Sequence, residues 1–158
     1  MPLQFRRVVT GHDASGRAIV KIDEIAQNLV SSRPGATSCV VWTSQGFPVD
    51  NTGDEDAGLR STATTLDNGT VFRVLELAPG ASPRNHRTDS IDYAVVMSGE
   101  IDMELDGSTV HLKAGDVLVQ RGTIHNWVNR GTVPCVIAFV LIAAKPVEVG
   151  GKVLQAQG

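Results

Sequence analysis

The chain has little that would tie it to a membrane, to nucleic acid or to cysteine chemistry. It holds two cysteines, Cys39 and Cys135, far apart and each in an apolar run. Neither has a neighbour at zinc-finger or redox-motif spacing, so both are expected as buried free thiols. Aromatic residues make up only 4% of the chain, which limits how far a ligand could be held by stacking. Charge is not blocky: 14 basic against 17 acidic residues give −3, with no basic stripe to bind nucleic acid or an anionic bilayer. The longest apolar stretch, 133–144, is too short to span a bilayer and contains Pro134. The first residues, MPLQFRRVVT, lack the apolar segment of a secretory signal. There is no long amphipathic helical pattern, no repeat and no low-complexity tract. A soluble, cytoplasmic protein without nucleic-acid or membrane partners is the expectation.

What is present is a series of short β-type runs set between Gly, Pro, Asn and Asp turns. Residues 5–10 and 18–22 flank an Asp13–Gly16 turn and read as a hairpin. A further run covers 38–43, and 23–32 reads as a short helical turn or a linker closed by Pro34 and Gly35. Residues 44–61 lack an apolar period and read as a long surface loop, a candidate lid. Runs then follow at 70–77, 91–97, 100–105, 109–112, 116–120, 124–129 and 135–143, with Asp106–Gly107 a hairpin signal. The length of 158 residues fits one domain. The fold class is all-β, a barrel or double-sheet jelly roll. Within the single domain 1–158, residues 1–45 form an N-terminal β arm and 70–143 the barrel core. The arm is expected to pack across a two-fold interface, giving a homodimer.

Two histidines carry the chemical interest. Imidazoles ligate metals and move protons near neutral pH. His86, Thr88, Ser90, Asp92 and Ala94 share one strand parity, and His125, Trp127 and Asn129 share another. Side chains two apart on a strand point the same way. If both strands line one barrel, two imidazoles and a carboxylate can meet inside it. Tyr93, of opposite parity to Asp92, is expected to face outward.

The two stretches around these histidines resemble the paired motifs of the cupin superfamily. The first reads Gly80, five residues, His86, one residue, Thr88, three residues, Asp92, six residues, Gly99. The second reads Gly115, four residues, Gln120, one residue, Gly122, two residues, His125, three residues, Asn129. The resemblance implies a double-stranded β-helix, usually dimeric, with a pocket at its mouth. Three positions depart from the pattern. Thr88 stands for the second histidine of the first motif, Asp92 for its glutamate, and Gln120 for the proline of the second. Carried over, the metal ligands become His86, Asp92 and His125, with Thr88 a poor fourth. They could hold one divalent ion, zinc, iron, manganese or nickel, or Asp92 could instead orient an imidazole. Gly80, Gly99, Gly115 and Gly122 are expected in turns and Asn129 as a turn brace. The wider sequence is similar to small single-domain cupins of bacteria and fungal gene clusters, several linked to lyase steps.

The resulting expectation is a lyase, a dehydratase or decarboxylase acting on a small anionic carbonyl compound. His86, His125 and Asp92 are the candidate catalytic residues. Ten of the 14 basic residues are arginines, whose planar fork suits a carboxylate. Arg73, Arg84, Arg87 and Arg121 are the candidate anion binders, with Thr88 and Trp127 as further pocket residues; for Trp127, plain core packing is the competing role. The alternatives are a metal-dependent oxygenase and a non-catalytic small-molecule-binding barrel.

Overall fold

A computed structural model describes residues 2–158. Among the described residues every regular element is a strand. β1 (Arg6–His12) and β2 (Ala18–Ile25) pair antiparallel as the expected N-terminal hairpin. The Asp13 carboxylate accepts the backbone N–H groups of Ser15 and Arg17 and closes the turn.

Residues 23–32 are neither helical nor a plain linker. β2 runs on to Ile25, and β3 (Leu29–Arg33) pairs with β4 (Ala36–Gln45) across Pro34 and Gly35. Leu29 follows Ile25, and Val30 follows Ala26, at the i+4 spacing of a helix, but backbone pairing to the edge of β4 outweighs that local signal. Gly35 has φ +78° and stands so close to Ala81 that a Cβ would meet its Cα at 2.7 Å.

The nine strands between Leu29 and Ala143 form two sheets. One holds six strands in the order β3, β4, β5 (Gly69–Leu77), β11 (Cys135–Ala143), β6 (Ser90–Ser98) and β9 (Val117–Arg121). The other holds β10 (Asn126–Val128), β7 (Glu100–Glu104) and β8 (Thr109–Lys113). All registered pairs are antiparallel. The alternation is clean where it matters. Cys135, Ile137, Phe139 and Leu141 of β11 are buried, and so are Ala94 and Val96 of β6 and Ile101 and Met103 of β7. These residues, with Val71, Leu77, Leu112 and Trp127, make one core between the sheets, the arrangement of a jelly-roll barrel.

Outside the barrel, the arm is pinned to its own chain. The guanidinium of Arg7, 2% exposed, donates to Glu24, Asp56 and the carbonyl of Val41. Residues 46–68 are irregular, as expected for most of that stretch. The part between 49 and 60 lines a separate cavity of about 1020 Å³ against β1 and β4, and so does not lie over the histidines. Thr62, Ala63 and Thr64 reach the histidine cavity instead. A last hairpin, β12 (Val147–Val149) and β13 (Lys152–Leu154), was not foreseen. Beyond it Gln157 pairs with Arg87, beside His86.

Candidate active site

His86 and His125 are brought together by backbone pairing. The N–H of each donates to the carbonyl of the other, at 2.9 and 3.0 Å. Their ring centroids lie 4.2 Å apart at a tilt of 54°. Each Nδ1 sits 2.9 Å from the carbonyl two residues earlier, Arg84 for His86 and Thr123 for His125. A carbonyl only accepts, so each Nδ1 carries the proton and each Nε2 keeps its lone pair. Both side chains line a cavity of about 450 Å³ at the barrel mouth. Burial pushes the pKa of both imidazoles down, that of His125 to about 4, with the neighbouring His86 and Arg84 adding to the effect. The pair is therefore neutral near pH 7, with two basic nitrogens.

Asp92 faces the same cavity from β6. Its carboxylate accepts the Ser90 hydroxyl at 2.6 Å, and Ser90 in turn meets the Thr88 hydroxyl at 2.8 Å. Burial raises the Asp92 pKa; the Ser90 hydrogen bond and the positive charge of Arg73 oppose that rise. Thr88 acts here through Ser90 and does not line the cavity. Trp127 belongs both to the core and to the cavity lining. Buried in the core edge-on to Phe139 at 5.7 Å, it also stands 5.9 Å from the His125 ring on the cavity wall.

Of the four arginines expected at the site, two reach it. Arg73 and Arg84 line the cavity. Arg73 donates to the carbonyls of Ala63 and Thr64, and Arg84 to the Thr64 hydroxyl and the Gly158 carbonyl. Arg87 is of opposite parity to His86 and instead clamps the chain end, donating to Gly122 and Gln155 carbonyls. Arg121 follows the inward Gln120 on β9, so strand alternation turns it outward, where it is exposed. Sequence reasoning missed Arg33, which lines the cavity from the end of β3. That miss followed from reading 23–32 without a strand. None of Arg33, Arg73 and Arg84 forms an ion pair among the described residues. Burial and mutual repulsion with Arg84 lower the pKa of Arg33 and Arg73. Three guanidiniums without paired carboxylates make the cavity electropositive.

The donor set does not fit a three-ligand metal centre. Among the described residues no group of three or more His, Cys, Asp or Glu side chains converges at ligating distance. The expected set of His86, Asp92 and His125 is thus reduced to two imidazoles, with Asp92 engaged by Ser90.

Residues 73–142 match the Cupin domain family. The chain is 39% identical to the phomopsin biosynthesis cluster protein C' of Diaporthe leptostromiformis, over 94% of this chain and 83% of that protein. It is 34% identical to the cupin-domain-containing oxidoreductase fogC of Aspergillus ruber, over 94% of this chain and 77% of that one. Among solved structures, the polyketide cyclase RemF of Streptomyces resistomycificus shares the fold, with a TM-score of 0.52 at 18% identity over 77% of each chain. The chain belongs to the cupin superfamily. The relatives it resembles include a protein named for a fungal biosynthesis cluster and a cupin-domain-containing oxidoreductase.

Proposed function

We propose that the chain is a small-molecule lyase, acting on an anionic carbonyl compound that enters the barrel mouth. One observation carries the reading: two neutral imidazoles, each with Nε2 left basic by a backbone carbonyl, share a cavity with three unpaired arginines. The fungal relatives, named for biosynthetic clusters, support a role in tailoring a small metabolite. A base with a pKa near 4 is weak, but an anionic substrate bound beside it favours imidazolium and raises that pKa toward the working range.

For dehydration, one Nε2 removes the proton between the carbonyl and the hydroxyl-bearing carbon. The electron pair moves onto the carbonyl oxygen, and the resulting enolate is stabilised by the arginine side of the cavity. The enolate then re-forms its carbonyl as the carbon–oxygen bond to the hydroxyl breaks. The imidazolium returns its proton to that hydroxyl, which leaves as water. The second imidazole stays neutral throughout, because two imidazolium rings with centroids 4.2 Å apart would repel.

The test is turnover of the aldol adduct of benzaldehyde with pyruvate, followed by appearance of its conjugated product. Loss of water catalysed by the wild type and abolished in His86→Ala and His125→Ala supports the reading; no catalysis of water or carbon dioxide loss from such acids contradicts it. A second reading, an oxidation, is favoured by the names of several relatives, among them fogC. Consumption of dioxygen in step with substrate would support it over elimination.

A further inference from the structure

Two buried polar atoms beside the histidines have no hydrogen-bond partner among the described residues: Nε of Arg73 and Oε1 of Gln120. Both residues line the histidine cavity, and Gln120 is only 3% exposed. A sealed donor or acceptor without a partner destabilises a fold, so its presence at a cavity wall calls for an explanation. The two atoms are of opposite kind. An arginine N–H can only donate, and an amide oxygen can only accept. The amide orientation follows from its other end, where Gln120 Nε2 donates to Met103 Sδ at 3.5 Å. The reversed amide would set oxygen against sulfur and strand both N–H bonds.

Strand register and the cavity lining put the two residues on one interior surface. Gln120 on β9 stands opposite Asp92 on β6. Arg73 on β5 stands opposite Phe139 of β11. The second cupin motif has proline where Gln120 stands, and a proline offers no side-chain acceptor.

We propose that Arg73 and Gln120 together recognise hydroxyl-bearing carbonyl anions. A carboxylate or enolate oxygen of the ligand accepts from Arg73 Nε, and a ligand hydroxyl donates to Gln120 Oε1. Arg33 and Arg84 supply further positive charge to the same end of the cavity. Trp127 and Phe139, packed edge to face, provide an apolar wall for the rest of the molecule. This deepens the lyase reading, and rests on it for the reaction, by making the substrate a hydroxy acid and the leaving group water. The recognition itself is a binding property.

The experiment is calorimetric titration of the full chain with tropate, with hydratropate, which is the same acid without the hydroxyl, and with tropate methyl ester. Wild type is expected to bind tropate about tenfold or more tighter than hydratropate, since only the hydroxyl satisfies Gln120. In Gln120→Met and Gln120→Leu the ratio falls to about one while hydratropate affinity is kept, and the ligand-free variants melt higher than wild type. Arg73→Met loses affinity for both acids but not for the ester. An unchanged ratio in both Gln120 variants, no preference in wild type, or binding of neither acid at millimolar concentration would overturn the proposal. Discrimination without turnover of any hydroxy acid would sink the lyase reading and leave the recognition standing; turnover with Gln120-independent discrimination would do the reverse.

Discussion

At the scale of single residues, the site depends on how two imidazoles are held. Removing either base should lower kcat by about 10²–10⁴-fold, with far-ultraviolet circular dichroism unchanged, in His86→Ala and His125→Ala. Burial of neutral His125 also makes stability depend on pH. Its ordinary pKa of 6.5 applies in the unfolded chain, against about 4 in the fold. Between these values the unfolded state binds the proton more readily, so stability present above pH 6.5 is lost as pH falls toward 4. The loss attached to this one group is about 3 kcal/mol. Urea unfolding of His125→Phe across that range should show a flatter acid limb than wild type. Asp92 has the opposite sign, because its raised pKa favours the fold at low pH and opposes it once the unfolded carboxyl ionises. Asn129, 4% exposed, donates to the Leu77 and Val133 carbonyls and accepts from Gly131 N–H. Asn129→Ala strips three hydrogen bonds, one buried and two partly buried, and should cost about 2–4 kcal/mol in urea unfolding, without altering KM.

At the scale of elements, strand parity made most of the site legible. The inward sets 90, 92, 94 and 125, 127, 129 are buried as alternation requires, and Tyr93 faces out at 49% exposure. The turn glycines Gly80, Gly99, Gly115 and Gly122 all have positive φ. The same rule, applied to Arg87 and Arg121, would have removed them from the site, since each follows an inward residue. What alternation could not reveal was pairing between distant segments. β3 owes its existence to the edge of β4, and only that pairing carries Arg33 to the cavity. The tail resting beside His86 is held by the bridge of Arg87 with Gln157 and by the Arg84 and Arg87 side chains on the Gly158 and Gln155 carbonyls. Gln120 was visible only as a departure from a motif; its role needed a cavity wall to be seen. The arm has a test of its own. Arg7→Met should release both the hairpin and the loop at Asp56, and limited proteolysis should then cut between 46 and 60 faster than in wild type.

At the scale of the whole molecule, the outer face of the six-stranded sheet is unusually apolar. Phe72, Tyr93, Val95, Met97, Val117 and Val119 are all exposed there, and Phe72, Val140, Tyr93 and Val119 form one row across four strands. Soluble monomers rarely leave so continuous a patch open. We propose that a second copy covers it, and sedimentation should give a dimer that Val119→Glu converts to monomer; a wild-type monomer would contradict this. Within the chain, Arg7 ties the arm to the Val41 carbonyl and to Asp56. Opposite this face, the cavity gathers the molecule's chemistry: two basic Nε2 atoms, one carboxyl of raised pKa and three arginines without carboxylate partners. The central claim is that these imidazoles take a proton from carbon beside a carbonyl. The most direct measurement is proton exchange into phenylpyruvate in deuterium oxide, followed by nuclear magnetic resonance of its methylene group. The account predicts exchange above the spontaneous rate with wild type, and none above it with His86→Ala and His125→Ala together. Exchange no faster than without protein, or equally fast in the double variant, would contradict it.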